Sequence, residues 1–201
     1  MMIYKKIIKR IMDFTLSLMG LIILAVPMLI VAIAIKLESK GPVIFKQDRI
    51  GYKGDVYKMY KFRSMCVGAE KGGVYSDKTD TRVTKVGKFI RATSIDELPQ
   101  LVNVLKGDMS LVGFRSPLTY HPWTWSEYTE EQKKMFDVRP GITGWAQVNG
   151  RKTVEWNKRI ELNVWYAEHV SFLLDMKILF LTIYKVLINA DNESVGETVK
   201  K

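Results

Sequence analysis

The sequence predicts a mostly helical protein of the α/β class, with α+β organisation, one short β-hairpin and one membrane-embedded helix near the N-terminus. Residues 14–35 form an uncharged run that is long and apolar enough to enter a bilayer. Two segments rich in β-branched and aromatic residues, 43–45 and 56–62, flank a glycine-containing turn, which predicts a short antiparallel pair. Further along, apolar residues recur at helical spacing between polar loops, which predicts several helices.

The N-terminal run would form a helix about 33 Å long, close to the thickness of a bilayer's hydrocarbon core. A simple spanning helix is one interpretation. However, Pro27 lies near the middle of the run, where it removes a backbone hydrogen bond. Basic residues also flank both ends, whereas a spanning helix usually has one strongly basic side. We therefore predict a re-entrant helix, broken at Pro27, with both ends in the cytosol. This gives a membrane element at 1–40, a cytosolic domain at 41–172 and a C-terminal helix and tail at 173–201.

The rest of the chain alternates helices with polar loops. The stretch 68–82 is polar and contains glycine, which predicts a surface loop. A helix is predicted to begin near Asp96, with Asp96 or Ser94 as its N-cap. The strongly apolar segment 173–188 predicts a helix that either packs in the core or lies on the membrane surface. Further helices are predicted at 83–92 and 156–168, and the polar residues 189–201 are predicted to be disordered.

The charge balance favours an anionic partner. The chain has 31 Lys and Arg residues against 21 Asp and Glu residues, a net charge of +10. Such an excess fits nucleic acid, an acidic membrane surface or a phosphorylated substrate. Nucleic acid is the weak alternative, because no recognised motif or clustered basic helix accompanies the charge. The single cysteine, Cys66, excludes an intrachain disulfide, and the two histidines lack zinc-binding spacing.

Two adjacent carboxylates, Asp96 and Glu97, are the candidate catalytic residues. Neighbouring residues at a helix start point in different directions, so this pair is suited to separate roles rather than to sharing one proton. The simpler interpretation is that Asp96 caps a helix and Glu97 is a favourable first-turn acid. Lys61 and Arg63 alternate along a predicted strand, so they would share one face and form a candidate phosphate clamp. A solvated strand face is the alternative for them.

The motifs that contain these residues resemble those of the bacterial sugar transferase family, the small monotopic phosphoglycosyl transferases. The similar stretches are 61–65, 93–113 and 138–151. The resemblance implies that Asp96 is a nucleophile, that Glu97 is associated with Mg²⁺, and that an arginine at position 91 contacts substrate phosphates. This chain differs from the family pattern in three places. Val26 replaces a serine, and Asn163 replaces an aspartate. Phe114 replaces a proline, and Ser116 is inserted after Arg115, which alters the local register.

The resemblance implies a phosphoglycosyl transferase on the cytosolic face of a bacterial inner membrane. It would move a sugar 1-phosphate from a UDP-sugar to polyprenyl phosphate and release UMP. Membrane lipids are expected partners, nucleic acid is not, and a homodimer is left open. A carboxylate-dependent phosphohydrolase and a basic adaptor that binds acidic lipids are the alternatives. The predicted substrate-binding residues are Lys61, Arg63, Arg91, Arg115, Gln147 and Arg151, and Glu97 is the predicted metal ligand.

Overall fold

The computed structural model describes residues 3–73, 80–150 and 155–188, and it begins with two helices set at an angle. A π-helical turn, Tyr4–Ile8, leads into α1 (Lys9–Ile23), and α2 (Ala25–Glu38) follows after one residue. Within the described part of the chain, no helix taken singly has the length and apolar composition needed to cross a membrane. The two N-terminal helices meet that test as a pair, bent by 62°.

The break between these helices lies at Leu24, so the prediction of a break at Pro27 is wrong by about one turn. The reason is local. A proline offers no N–H to the carbonyl four residues earlier, and its ring clashes with that carbonyl. For Pro27 this carbonyl belongs to Ile23, the last residue of α1. Pro27 itself lies in the first turn of α2, where proline is tolerated.

The predicted hairpin is confirmed. Strand β1 (Ile44–Ile50) pairs antiparallel with β2 (Val56–Phe62), in a register that runs from Ile44 opposite Phe62 to Ile50 opposite Val56. One face of the hairpin packs against α2 and α3 (Lys85–Ala92) through Ile35, Phe62 and Ile90, all of which are buried. Helix α2, the hairpin and α3 therefore share a hydrophobic contact.

Helix α3 begins at a carboxylate that comes from α2. The Glu38 carboxylate accepts hydrogen bonds from the main-chain N–H groups of Lys85 and Val86, at 2.7 and 3.0 Å. Gly87 allows close packing here, because a Cβ at this position would overlap the carbonyl oxygen of Ser64. These contacts fix α3 between the end of α2 and the segment that follows β2.

A second, two-stranded sheet supports the other half of the molecule. Strand β3 (Ser110–Val112) pairs parallel with β4 (Gly141–Thr143). A Cβ at Gly113 would overlap the carbonyl oxygen of Arg139, so this pairing depends on close backbone approach. Gly141 and Gly144 take part in the same close approach, because a Cβ at either position would overlap the main chain of Gly113. The remaining helices are α4 (Gln100–Lys106), α5 (Glu130–Lys133), α6 (Trp145–Val148), α7 (Trp156–His169) and α8 (Phe172–Leu187).

Helix α8 packs in the core with one face and is exposed on the other. Its inner face joins the largest core cluster, where Ile178 is fully buried. Its outer face leaves large apolar residues exposed, among them Leu173 and Phe180. The predicted disordered tail, 189–201, lies outside the described residues.

A buried carboxylate on α8 links this helix to the N-terminal helices. Asp175 accepts hydrogen bonds from the Tyr4 hydroxyl, the Lys9 ammonium and the Tyr166 hydroxyl, each at 2.6 Å. Asp175 is fully buried, and the side chain of Lys9 is nearly so. Because a buried charge needs a partner, this network fixes α1 against α7 and α8.

Candidate active site

A cavity of about 500 Å³ brings most of the predicted site residues together. It lies between the end of β2, the segment around residue 96 and the helices α6, α7 and α8. Its walls combine acidic and basic side chains with an apolar part that includes Leu101 and Ile142. The predicted residues that line it are Lys61, Arg91, Asp96, Glu97, Arg115 and Gln147.

The two carboxylates lie on a tight turn rather than on an α-helix. Ser94 has a left-handed conformation, with φ of 59°, and it leads into a 3₁₀ turn, Ile95–Glu97. Neither Ser94 nor Asp96 caps a helix with its side chain, so the predicted N-cap is wrong. The α-helix begins at Gln100, after Pro99. Backbone hydrogen bonds between residues three apart continue as far as Val102, so the chain stays tightly wound up to and beyond the proline.

Glu97 is held by two cations. Its Oε1 lies 2.6 Å from the Lys61 Nζ and 3.3 Å from an Arg115 Nη2. Burial acts to raise the pKa of Glu97, but the charges of Lys61 and Arg115 outweigh it and leave this pKa well below its usual range. Glu97 therefore stays ionised, and it fixes the positions of both cations.

Asp96 has a different environment although it is the adjacent residue. Its Oδ2 lies 3.8 Å from the Lys61 Nζ, beyond direct hydrogen-bond distance. Burial raises the pKa of Asp96, the charge of Lys61 opposes that rise, and the charge of Glu97 adds to it. The two carboxylates are thus distinct, since one is bound to cations and the other is buried but less constrained.

Arg63 does not join Lys61 in the cavity. Its guanidinium donates to the carbonyl oxygens of Ser39 and Lys40, at 2.8 and 2.7 Å, and to the Ser39 hydroxyl at 2.9 Å. The side chain is buried and caps the C-terminal end of α2. Strand β2 ends at Phe62, so the predicted alternation does not extend to Arg63, and a different element packs against each of the two cations. Arg151 lies outside the described residues.

Helices α7 and α8 add residues that the sequence analysis did not assign to a site. Trp156, Arg159 and Asn163 line the cavity from α7, and Thr182 and Lys185 line it from α8. The α7 residues follow one another at spacings of three and four, so they share a helix face. That spacing was a usable signal, but it did not say what the face packs against.

A magnesium site is compatible with these residues. Within residues 3–73, 80–150 and 155–188, no three His, Cys, Asp or Glu side chains are arranged to hold a metal ion together. Mg²⁺ does not need such a cluster, because it is usually held by one or two carboxylates together with substrate phosphates and water. Glu97 contacts Lys61 and Arg115 through Oε1, so its second carboxylate oxygen is the candidate ligand.

Comparison with known proteins identifies the family. The model of the bacterial sugar transferase family matches residues 4–189. The sugar transferase EpsL of Bacillus subtilis is 48% identical over 185 residues, which cover 91% of this chain and 89% of EpsL. The UDP-glucose:undecaprenyl-phosphate glucose-1-phosphate transferase of Escherichia coli is 42% identical over 190 residues, covering 92% of this chain and 41% of that protein.

A second protein with that name, from Caulobacter vibrioides, is 40% identical over 190 residues, which cover 92% of this chain and 71% of the relative. This chain thus spans less than half the length of the Escherichia coli relative and most of the length of EpsL. In each comparison the matched region includes the segment that carries Asp96 and Glu97. The chain is a transferase and belongs to the bacterial sugar transferase family.

Proposed function

We propose that this protein transfers a sugar 1-phosphate from a UDP-sugar to polyprenyl phosphate. The observation that carries the proposal is the cavity itself, in which two unlike carboxylates lie beside Lys61, Arg91 and Arg115. Both substrates are anionic, so the cations would bind them. The names of the relatives from Escherichia coli and Caulobacter vibrioides support both the donor class and the acceptor.

In the proposed mechanism Asp96 is the nucleophile. One of its carboxylate oxygens forms a bond to the phosphorus that carries the sugar. The bond from that phosphorus to the bridging oxygen breaks, and the electron pair leaves with UMP. An oxygen of polyprenyl phosphate then attacks the same phosphorus, which releases the Asp96 carboxylate and gives polyprenyl diphosphate sugar. Dividing the reaction in this way means that the two large substrates need not be bound together.

The basic side chains near Asp96 would bind and neutralise the substrate phosphates. Phosphoryl transfer depends mainly on in-line placement and on neutralisation of charge. Lys61 and Arg115, positioned by Glu97, would neutralise the diphosphate, and Arg91 would bind a phosphate oxygen with its guanidinium. Bound Mg²⁺, held partly by Glu97, would add charge neutralisation for the diphosphate and the leaving UMP.

The exposed apolar side chains of the N-terminal helices support a location of the protein at a membrane. The bent pair leaves many large apolar side chains exposed, including Ile22, Ile23 and Val26 at the bend. A water-exposed apolar surface of that size is unusual, and a lipid environment explains it. We therefore propose that the bend lies in a bacterial cytoplasmic membrane and that the cavity faces the cytosol, where it can meet an acceptor with a long apolar tail.

The test uses purified protein, a UDP-sugar, and polyprenyl phosphate present or absent. We expect sustained UMP release only with the lipid, and a covalent adduct of one sugar phosphate in the intact mass when the lipid is absent. Asp96→Asn should lower turnover by about three orders of magnitude or more and abolish the adduct. Asp48→Asn is the matched control, because this carboxylate is exposed and pairs with Lys58.

Other outcomes would support the alternatives. Sustained UMP release without the lipid would indicate a phosphohydrolase. Absence of UMP release under every condition, with lipid binding that Asp96→Asn leaves intact, would indicate a lipid-binding adaptor. An adduct on a residue other than Asp96 would contradict the assigned nucleophile while leaving the transferase activity in place.

A further inference from the structure

Three polar side chains on one side of the cavity have no role in the charge chemistry described above. They are Gln147 on α6 and Trp156 and Asn163 on α7, and together we call them the amide wall. None of the three carries a charge. They line the same cavity as Asp96 and Glu97, so a molecule bound at the carboxylates can extend to them.

The amide wall contains buried hydrogen-bonding atoms without protein partners. Among the described residues, both side-chain polar atoms of Gln147, the indole nitrogen of Trp156 and the Oδ1 of Asn163 are buried and unpaired. Asn163 as a whole is 4% exposed. Because buried polar side chains are nearly always hydrogen-bonded, unpaired atoms grouped at one cavity indicate a position that is satisfied by a ligand.

The chemistry of these atoms limits the ligand. The wall offers donors from Gln147 Nε2 and Trp156 Nε1, and acceptors from Gln147 Oε1 and Asn163 Oδ1. Apolar residues beside it, Ile142 and Leu179, would cover the faces of a ring. Neutral donors and acceptors in this mixture suit an uncharged ring that carries both kinds of hydrogen-bonding group. A phosphate would instead be bound by the cations elsewhere in the cavity.

We infer that Gln147, Trp156 and Asn163 bind an uncharged, hydrogen-bonding ring of the nucleotide sugar and contribute to donor selectivity. This inference rests on the proposed function. Two rings of the donor share the required chemistry, namely the sugar with its hydroxyl groups and the uracil base. In this chain Asn163 supplies a neutral amide where an aspartate would supply a charge, so the wall stays uncharged.

The experiment measures binding in an Asp96→Asn background, so that the donor cannot react. Calorimetric titrations would compare UMP, UDP-glucose, UDP-galactose and UDP-N-acetylgalactosamine. Gln147→Ala is the main variant, because Gln147 as a whole is partly exposed whereas Asn163 is buried. Loss of hydrogen bonds to neutral groups should weaken donor binding about threefold to tenfold. Asn163→Ala is the second variant, and Asn157→Ala, at an exposed position of α7, is the matched control.

Comparing UMP with the UDP-sugars distinguishes binding of the sugar from binding of uracil. If the wall binds the sugar, Gln147→Ala changes the affinity ratio between the UDP-sugars and leaves UMP binding unchanged. If it binds uracil, the affinities for UMP and for all the UDP-sugars fall together. Unchanged binding of every ligand by a Gln147→Ala protein that melts like its parent would overturn the inference. That result is distinct from failure of the proposed function, in which the wild-type protein forms no product from any UDP-sugar with polyprenyl phosphate.

Discussion

Replacing Arg63 should destabilise the protein rather than weaken its contact with a phosphate. The guanidinium donates two short, charge-assisted hydrogen bonds to the carbonyl oxygens of Ser39 and Lys40. Hydrogen bonds to charged groups contribute about 1.5–3 kcal/mol each. Because these carbonyls lie near the surface, water can replace part of the interaction, and we take the lower end, about 3 kcal/mol in total for Arg63→Ala. For a protein of this size that corresponds to a fall of roughly 6–12 °C in melting temperature.

Arg63→Lys separates the two roles that sequence and structure suggest for this residue. Lysine keeps the positive charge but cannot bridge several carbonyl groups with a planar fork. If the residue holds the end of α2, Arg63→Lys should melt almost as early as Arg63→Ala.

Gly41 allows Arg63 to take this position, since its φ is +124° and a Cβ there would overlap the guanidinium. Gly41→Ala should therefore also lower the melting temperature.

The assay is thermal unfolding in detergent micelles, followed by tryptophan fluorescence, with the donor KM measured in parallel. Lys58→Ala is the control, because Lys58 is an exposed cation on β2, which Arg63 directly follows, and its pair with Asp48 is exposed too. Exposed ion pairs contribute at most about 1 kcal/mol, so its melting temperature should hardly change. The reasoning would be refuted if Arg63→Ala melted like the wild type and instead raised the donor KM strongly.

Three further predictions concern the charges and the packing around the site. Lys61→Met should move the acidic limit of the kcat/KM profile to higher pH. The ionised Asp96 is the proposed nucleophile, and loss of the Lys61 charge raises the pKa of Asp96 further. Lys58→Met is the control and should leave this limit in place. Gly87→Ala should cost about 1–3 kcal/mol of unfolding free energy in a denaturant titration, since a Cβ would overlap a main-chain oxygen of the segment after β2; wild-type stability would show that α3 can shift freely. Asp175→Asn should cost about 3–5 kcal/mol by leaving its buried lysine partner without an anion, and an unchanged melting temperature would contradict the importance assigned to this pair.

Local patterns in the sequence determined much of the fold. The hairpin follows from two β-rich segments and the turn between them, and the apolar N-terminal run follows from composition. Such features depend on residues close together in the chain, so one sequence is enough to find them. The break at Leu24 also has a local cause, since proline disturbs the carbonyl four residues before it, but the prediction placed the break on the proline itself.

The grouping of Lys61, Arg91, Asp96, Glu97 and Arg115 was expected from motif resemblance, not from residue spacing. Spacing alone left Asp96 and Glu97 with the simpler interpretation of a helix start. The structure replaces that helix with a left-handed residue and a 3₁₀ turn. It also shows how the adjacent carboxylates differ, because Lys61 of β2 lies closer to Glu97 than to Asp96 and Glu97 also pairs with Arg115.

By itself the sequence determined which residues could carry charge chemistry and which segments could form strands, helices or a membrane element. The tertiary structure alone decided what each side chain meets. Arg63 binds the end of α2, although strand alternation predicted a face shared with Lys61. Gln147, Trp156 and Asn163 converge on one cavity. The physical reason is that periodicity fixes the direction of a side chain relative to its own element, whereas its partner depends on how distant elements pack.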